Sequence, residues 1–140
     1  MSWFWFALGS AFFAALVSIL AKVGITGVHS NLATAVRTIV IVIFAWGISI
    51  ADGSIRGLPM LSGRTLLFLI LSGIATGASW LLYFRALQLG SASSVAPIDK
   101  LSLVLTIILA VIFLHEKPTI GVIVGTILIT AGTLSIALWK

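Results

Sequence analysis

The sequence predicts an all-α membrane protein with five transmembrane helices, and three observations carry that prediction. Five long apolar stretches, at approximately 3–21, 32–50, 66–89, 97–114 and 119–139, take up nearly all of the 140 residues. Each is close to the ~20 residues that a helix rising ~1.5 Å per residue needs to cross ~30 Å of hydrocarbon. Hydrophobic residues make up 61% and charged residues 8%, against roughly 25% charged in a soluble domain, so a water-excluded soluble core is ruled out. The stretches also lack the alternation of barrel strands, and backbone in lipid must be satisfied within its own segment or by barrel closure, which leaves helices.

The first stretch has no basic residue in 1–6 and no small-x-small cleavage site after it, so it is expected to be retained rather than removed as a signal peptide. Ala7, Ala11, Ala14, Ser18 and Ala21 form one small-residue stripe along it. The break that follows holds Lys22, two glycines and a His29-Ser-Asn31 trio, predicting a turn and then an N-cap at Ser30 or Asn31. The second helix carries Arg37 near its start. The next break, 51–64, is the longest and reads as a surface loop, with Asp52-Gly53 as a turn and Ser62 capping the third helix. The third helix ends in a turn rich in function-bearing residues: Trp80, Tyr83, Phe84 and Arg85. The uncharged break 90–96 ends at Pro97, which is tolerated in a first turn because its missing N–H would be unpaired there, and a tight hairpin to the fourth helix is expected. Pro118 is placed in the same way to start the fifth. Gly73/Gly77 and Gly121/Gly125, extended by Gly132, read as packing seams between helices.

Charge inside the spans is the best clue to function, because an ionisable group at mid-bilayer costs ~2.5–3.5 kcal/mol on the insertion scale and persists when paired or functional. Since consecutive helices alternate in direction, Arg37, Arg85, Asp99 and Lys100 are expected on one side of the membrane, each a few ångströms inside a helix end. Snorkelling of the basic side chains and a helix-start position for Asp99 are the simpler explanations residue by residue. The set together favours a polar cavity. On a continuous helix Asp99 and Lys100 point about 100° apart, so Asp99 is expected to pair with Arg85 or Arg37 rather than with its neighbour. Trp80 and Tyr83, with Phe84, are candidate lining aromatics, able to stack on a substrate or a guanidinium, although an interfacial aromatic belt is the commoner explanation of such a cluster; Trp3, Trp5, Trp46 and Trp139 read most simply as belt anchors.

Other chemistry is not indicated. There is no cysteine, which removes disulfides, thiol catalysis and iron–sulfur chemistry. His29 and His115 fall in loops on opposite faces, so no metal site is expected, and no nucleophile–base pair or phosphate loop is present. No cofactor is expected, and the chain does not read as an enzyme. The net charge of +5 is scattered through loops and helix ends without a cluster, which argues against nucleic acid as a partner.

Tyr83-Phe-Arg-Ala-Leu-Gln-Leu-Gly-Ser-Ala-Ser-Ser-Val-Ala-Pro-Ile-Asp-Lys-Leu-Ser102, with the later pattern Glu116, Gly125 and Gly132, resembles the EamA-type family of the drug/metabolite transporter superfamily. The segment from Ser30 to Thr38, which contains Arg37, is similar to the second-helix motif of that family's short, single-repeat branch. The resemblance covers essentially the whole chain and implies one EamA-like transmembrane domain over 1–140, equivalent to one of the two inverted five-helix repeats of the longer members, which export small metabolites such as amino acids. An odd number of spans puts the termini on opposite sides, so two unfused copies pairing antiparallel would rebuild the inverted repeat.

Loop charges do not decide orientation. Arg56, Arg64 and Lys117 fall on one side and Lys22 and Lys140 on the other, and the bias reverses if Arg37, Arg85 and Lys100 are counted. A homodimer is expected, with antiparallel and parallel pairing both open. The leading expectation is a transporter of small polar or amphipathic metabolites working by alternating access in the cytoplasmic (inner) cell membrane, with the lipid bilayer and a small-molecule substrate as its partners. Arg37, Arg85 and Lys100 are its candidate cavity or gate cations, Asp99 their counter-ion or a proton-coupling acid, and Trp80 and Tyr83 its aromatic lining. The alternative is a non-transporting membrane interaction or assembly protein.

Overall fold

The computed structural model describes residues 2–139. In chain order the elements are α1 (Ser2–Gly24), α2 (Ser30–Ala51), a 3₁₀ segment (Ser54–Met60), α3 (Gly63–Leu89), α4 (Ala92–Asp99), α5 (Ser102–Leu114) and α6 (Ile120–Leu138). Among the described residues there is no strand. Five spans are long and apolar enough to cross a membrane, α4 and α5 together supplying one of them, Ala92–Leu114. At 22 residues, α2 is about 33 Å long, a match to the hydrocarbon thickness.

The chain divides into two compact units, Leu20–Leu89 and Met1–Ile19 with Gly90–Lys140. Within Leu20–Leu89, α2 packs on α3 and on the 3₁₀ segment. The buried residues Ile25, Ser30, Thr34, Phe84 and Leu87 belong to this unit, and they bring together the loop after α1, the start of α2 and the end of α3. In the other unit α6 packs against both α4 and α5, and Thr133 is the buried residue of α6. Most large apolar side chains are exposed, Phe6 at 80% and Leu82 at 73%, which inverts a soluble fold and suits side chains solvated by lipid tails.

Several helix boundaries differ from the sequence expectation, each for a local reason. The cap of α2 is His29, not Ser30 or Asn31: its Nδ1 accepts from the Asn31 N–H at 3.3 Å, while Ser30 is already helical and buried. Ser62 caps α3 as expected, accepting from the Thr65 N–H at 3.1 Å. Asp52 ends α2 and Gly53 takes φ 78°, the turn expected there, although the loop beyond it coils into the 3₁₀ segment. Pro118 does not open the last helix. Thr119 caps it, accepting from the Val122 N–H at 3.4 Å, and Pro118 lies outside. Nor does Pro97 begin the fourth span, because Ser91 caps α4 with an acceptance from the Ser94 N–H at 3.3 Å and Pro97 falls six residues into the helix.

The glycine seams also differ from expectation. A Cβ built at Gly73, Gly77, Gly125 or Gly132 would meet nothing within 4 Å in its own unit. Each of these positions therefore has room for a side chain within its unit, and none is a site of glycine-to-backbone contact there.

Candidate functional site

The polar end of the Leu20–Leu89 unit is assembled from three helix termini. Gly27, at φ 75°, turns the chain between α1 and α2 in a conformation that disfavours side chains. Lys22, in the last turn of α1, donates its ammonium to the carbonyl of Leu87 near the end of α3, where helix carbonyls lack their own N–H partners. Gln88 donates its amide to the Val28 carbonyl at 2.6 Å, and Arg85 donates from Nη1 to Gln88 Oε1 at 3.1 Å. These bonds tie the end of α3 to the loop that opens α2. Leu87, fully buried, and Ile25, at 4% exposure, exclude solvent beneath them.

Across this floor Arg37 meets the aromatic turn of α3. Its Cζ lies 4.3 Å from the centroid of the Trp80 ring and 5.3 Å from that of Phe84. Trp80 and Phe84 are four residues apart and therefore share one helix face, and the guanidinium is held over both rings. Tyr83 lies beside Phe84, ring centroids 6.5 Å apart in an edge arrangement. On α2, Thr34 and Thr38 turn their hydroxyls back onto the carbonyls of Ser30 and Thr34 at 2.9 and 2.8 Å, so both satisfy their own polar groups inside the span.

The other unit holds the remaining candidates at a break in the fourth span. Pro97 cannot donate to the carbonyl of Ser93, and its ring crowds that carbonyl. The helix stops at Asp99, and the chain crosses to α5 on tighter bonds, Lys100 N–H to Pro97 O at 2.9 Å and Leu101 N–H to Ile98 O at 3.0 Å. Thr133 of α6 donates to the Pro97 carbonyl at 3.4 Å.

The pairing of Asp99 corrects the sequence expectation. Its carboxylate lies 3.9 Å from the Lys100 ammonium rather than against an arginine, with side chains 40% and 60% exposed. Lys100 keeps right-handed helical dihedrals, φ −70° and ψ −8°, so the two side chains still leave the helix in different directions, and the long, exposed Lys100 side chain reaches back to make a loose contact.

The structure thus brings Arg37 and Trp80 into contact and sets Tyr83 beside their partner Phe84. Arg85 is exposed and held by a neutral amide, and Asp99 and Lys100 pair with each other. Lys22, Gln88 and Thr133 were not singled out in sequence. A lysine in the last turn of a helix and a glutamine three residues after an arginine were the available signals for the first two. Nothing local marks Thr133, whose partner is 36 residues away.

The family model of EamA-like transporters matches residues 1–138. A curated relative from Sinorhizobium sp, described as an uncharacterized transporter in cobO 3'region, is 49% identical over 138 residues, covering 99% of this chain and 98% of the relative. No solved structure gives a significant match.

Proposed function

This chain belongs to the EamA-like transporter family, and from that premise we propose that it moves small polar or amphipathic metabolites across the cytoplasmic membrane by alternating access, as a homodimer. That it is a multi-pass membrane transporter follows from the family and from the five spans. Alternating access is supported by the interruption of the fourth span at Lys100–Leu101, where the backbone stays right-handed helical (Lys100 φ −70°, ψ −8°; Leu101 φ −61°, ψ −20°) but tightens to i→i+3 bonds next to Pro97. Interrupted helices supply substrate and ion sites in secondary transporters. Here the break presents a carboxylate, an ammonium and a proline-interrupted carbonyl ladder within a span of apolar residues.

Dimerisation is supported by the small number of spans and by the open glycine faces of α3 and α6, onto which a second copy can pack closely.

The test is uptake of a metabolite panel into proteoliposomes, with and without a pH gradient. Saturable accumulation of at least one panel member is expected. A correctly folded chain that transports none would turn the reading toward a membrane assembly protein. Crosslinking in native membranes should trap a dimer. A cysteine replacing Ser54 should be labelled from both sides if the copies are antiparallel and from one side if they are parallel.

A further inference from the structure

We propose that the Arg37 guanidinium is a receptor for an oxyanion, a carboxylate or phosphate group, and that Trp80 and Phe84 are the positioning residues that hold it. The proposal deepens the transport reading by naming the substrate class, and it rests on that reading for its physiological role.

A guanidinium is a flat cation with five N–H donors around its edge. Aromatic faces attract the positive charge but accept none of those N–H groups in the way a carbonyl or carboxylate does. The rings of Trp80 and Phe84, at 4.3 and 5.3 Å from Cζ, therefore fix Arg37 while leaving its donors unspent. Among the described residues no acidic side chain comes within ion-pair distance of Arg37, and none accepts a hydrogen bond from it. Nor is any described side-chain nitrogen or oxygen both sealed from the surface and unpaired, so the Arg37 donors remain reachable.

The neighbouring cations are used differently. Lys22 spends its charge on the Leu87 carbonyl, and Arg85 donates to Gln88. Arg37 lies seven residues into a 22-residue apolar helix, about 10 Å from its start, where few competing waters are expected. A pre-oriented, partly desolvated guanidinium with free edges is the arrangement that binds carboxylate or phosphate through two parallel hydrogen bonds. A cationic substrate is disfavoured at the same place, because Arg37 already occupies the ring faces.

The oxyanion can come from a soluble metabolite or from a lipid headgroup, and one experiment separates them. The full-length protein in phosphatidylcholine nanodiscs is titrated calorimetrically with phenylacetate, with its neutral isostere phenylacetamide and with inorganic phosphate. One of the two anions should bind at least about tenfold more tightly than the amide, a preference that Arg37→Gln removes. Arg37→Lys keeps the charge but not the fork and should weaken the anion several-fold. Trp80→Phe retains an aromatic face and should stay within about threefold of wild type, whereas Trp80→Leu should lose about tenfold at an unchanged melting temperature. If the anion is a headgroup, phosphatidylglycerol will be retained by the wild type and not by Arg37→Gln in native mass spectrometry, and it will suppress binding of the soluble anions.

Equal affinity for phenylacetate, phosphate and phenylacetamide, or no binding of any of them, with no Arg37-dependent lipid retention, would overturn the proposal. So would anion preference that survives Arg37→Gln. If Arg37→Gln does not fold, Arg37→Lys and the Trp80 pair give the same reading. The titration contains no transport step. Uptake without oxyanion binding would overturn this inference alone, and oxyanion binding without uptake of any metabolite would overturn the transport reading alone.

Discussion

Residues 20–89 and residues 90–139 both place charge inside apolar spans, but they hold it by opposite means. In the first region packing does the holding. Arg37 rests on two rings, one of them at 2% exposure, and Lys22 and Gln88 are anchored on backbone carbonyls at the ends of helices. In the second region the charge sits where the helix tightens next to a proline. Asp99 and Lys100 form a loose pair at 3.9 Å beside a proline-broken turn, both well exposed.

The difference separates two jobs. A cation fixed by aromatic faces keeps one geometry and suits recognition. A loose, exposed charged pair next to a proline in the helix interior has little side-chain packing of its own to lose. We propose that the first region serves recognition and the second conformational change.

The contrast is broken most directly by truncating one apolar residue in each region. Leu87→Ala, at a site of 0% exposure, should destabilise the protein by about 2–5 kcal/mol, as large-to-small changes at packed sites do. Ile98→Ala, at 42% exposure beside the break, should cost less than about 1 kcal/mol. Reversible unfolding in mixed micelles measures both, and equal losses would erase the distinction.

Arginine replacements sharpen it next. Arg85→Ala removes a donor to Gln88 within a span, while Arg56 lies in the 3₁₀ segment outside the spans. Uptake should fall about tenfold for Arg85→Ala, roughly 1.4 kcal/mol, and by less than about twofold for Arg56→Ala. Equal small effects would mean that Arg85 merely snorkels.

Asp99→Asn tests the mobile region. An exposed pair contributes little, so stability should change by less than about 1 kcal/mol. If Asp99 couples a proton, the variant loses pH-driven accumulation and keeps downhill exchange; if it only balances nearby cations, both activities fall together. Wild-type behaviour in both assays would remove Asp99 from the mechanism.

The smallest effect is at Asp52, outside the spans. The Ser54 backbone N–H, at 2.9 Å, and then the Ser54 hydroxyl hold its carboxyl below the usual carboxylate range. A lowered folded-state pKa stabilises above the unfolded value, near pH 4, and that contribution is lost as pH falls through the folded value. Asp52→Asn should therefore lower stability slightly at neutral pH and flatten the loss of stability below about pH 4, so that the two proteins converge in acid.

The sequence by itself determined the membrane class, the number of spans and which residues carry charge inside them. Each of these depends on composition summed over some twenty neighbours, and lipid gives every apolar stretch the same helical solution. It also located the Ser62 cap and the Asp52–Gly53 turn, whose partners lie within three residues. Tertiary structure decided the rest. That Arg37 meets Trp80, that Lys22 ends on Leu87 and that Thr133 reaches the Pro97 carbonyl depend on contacts across 36 to 65 residues, which periodicity does not encode. The choice of His29 over Ser30 as a cap, and of Pro97 as a breaker rather than a starter, turned on the same physics. Ser30 is buried where helices meet and is drawn into the helix, and Ser91 caps the fourth span one turn early, leaving the proline where its missing N–H interrupts the ladder.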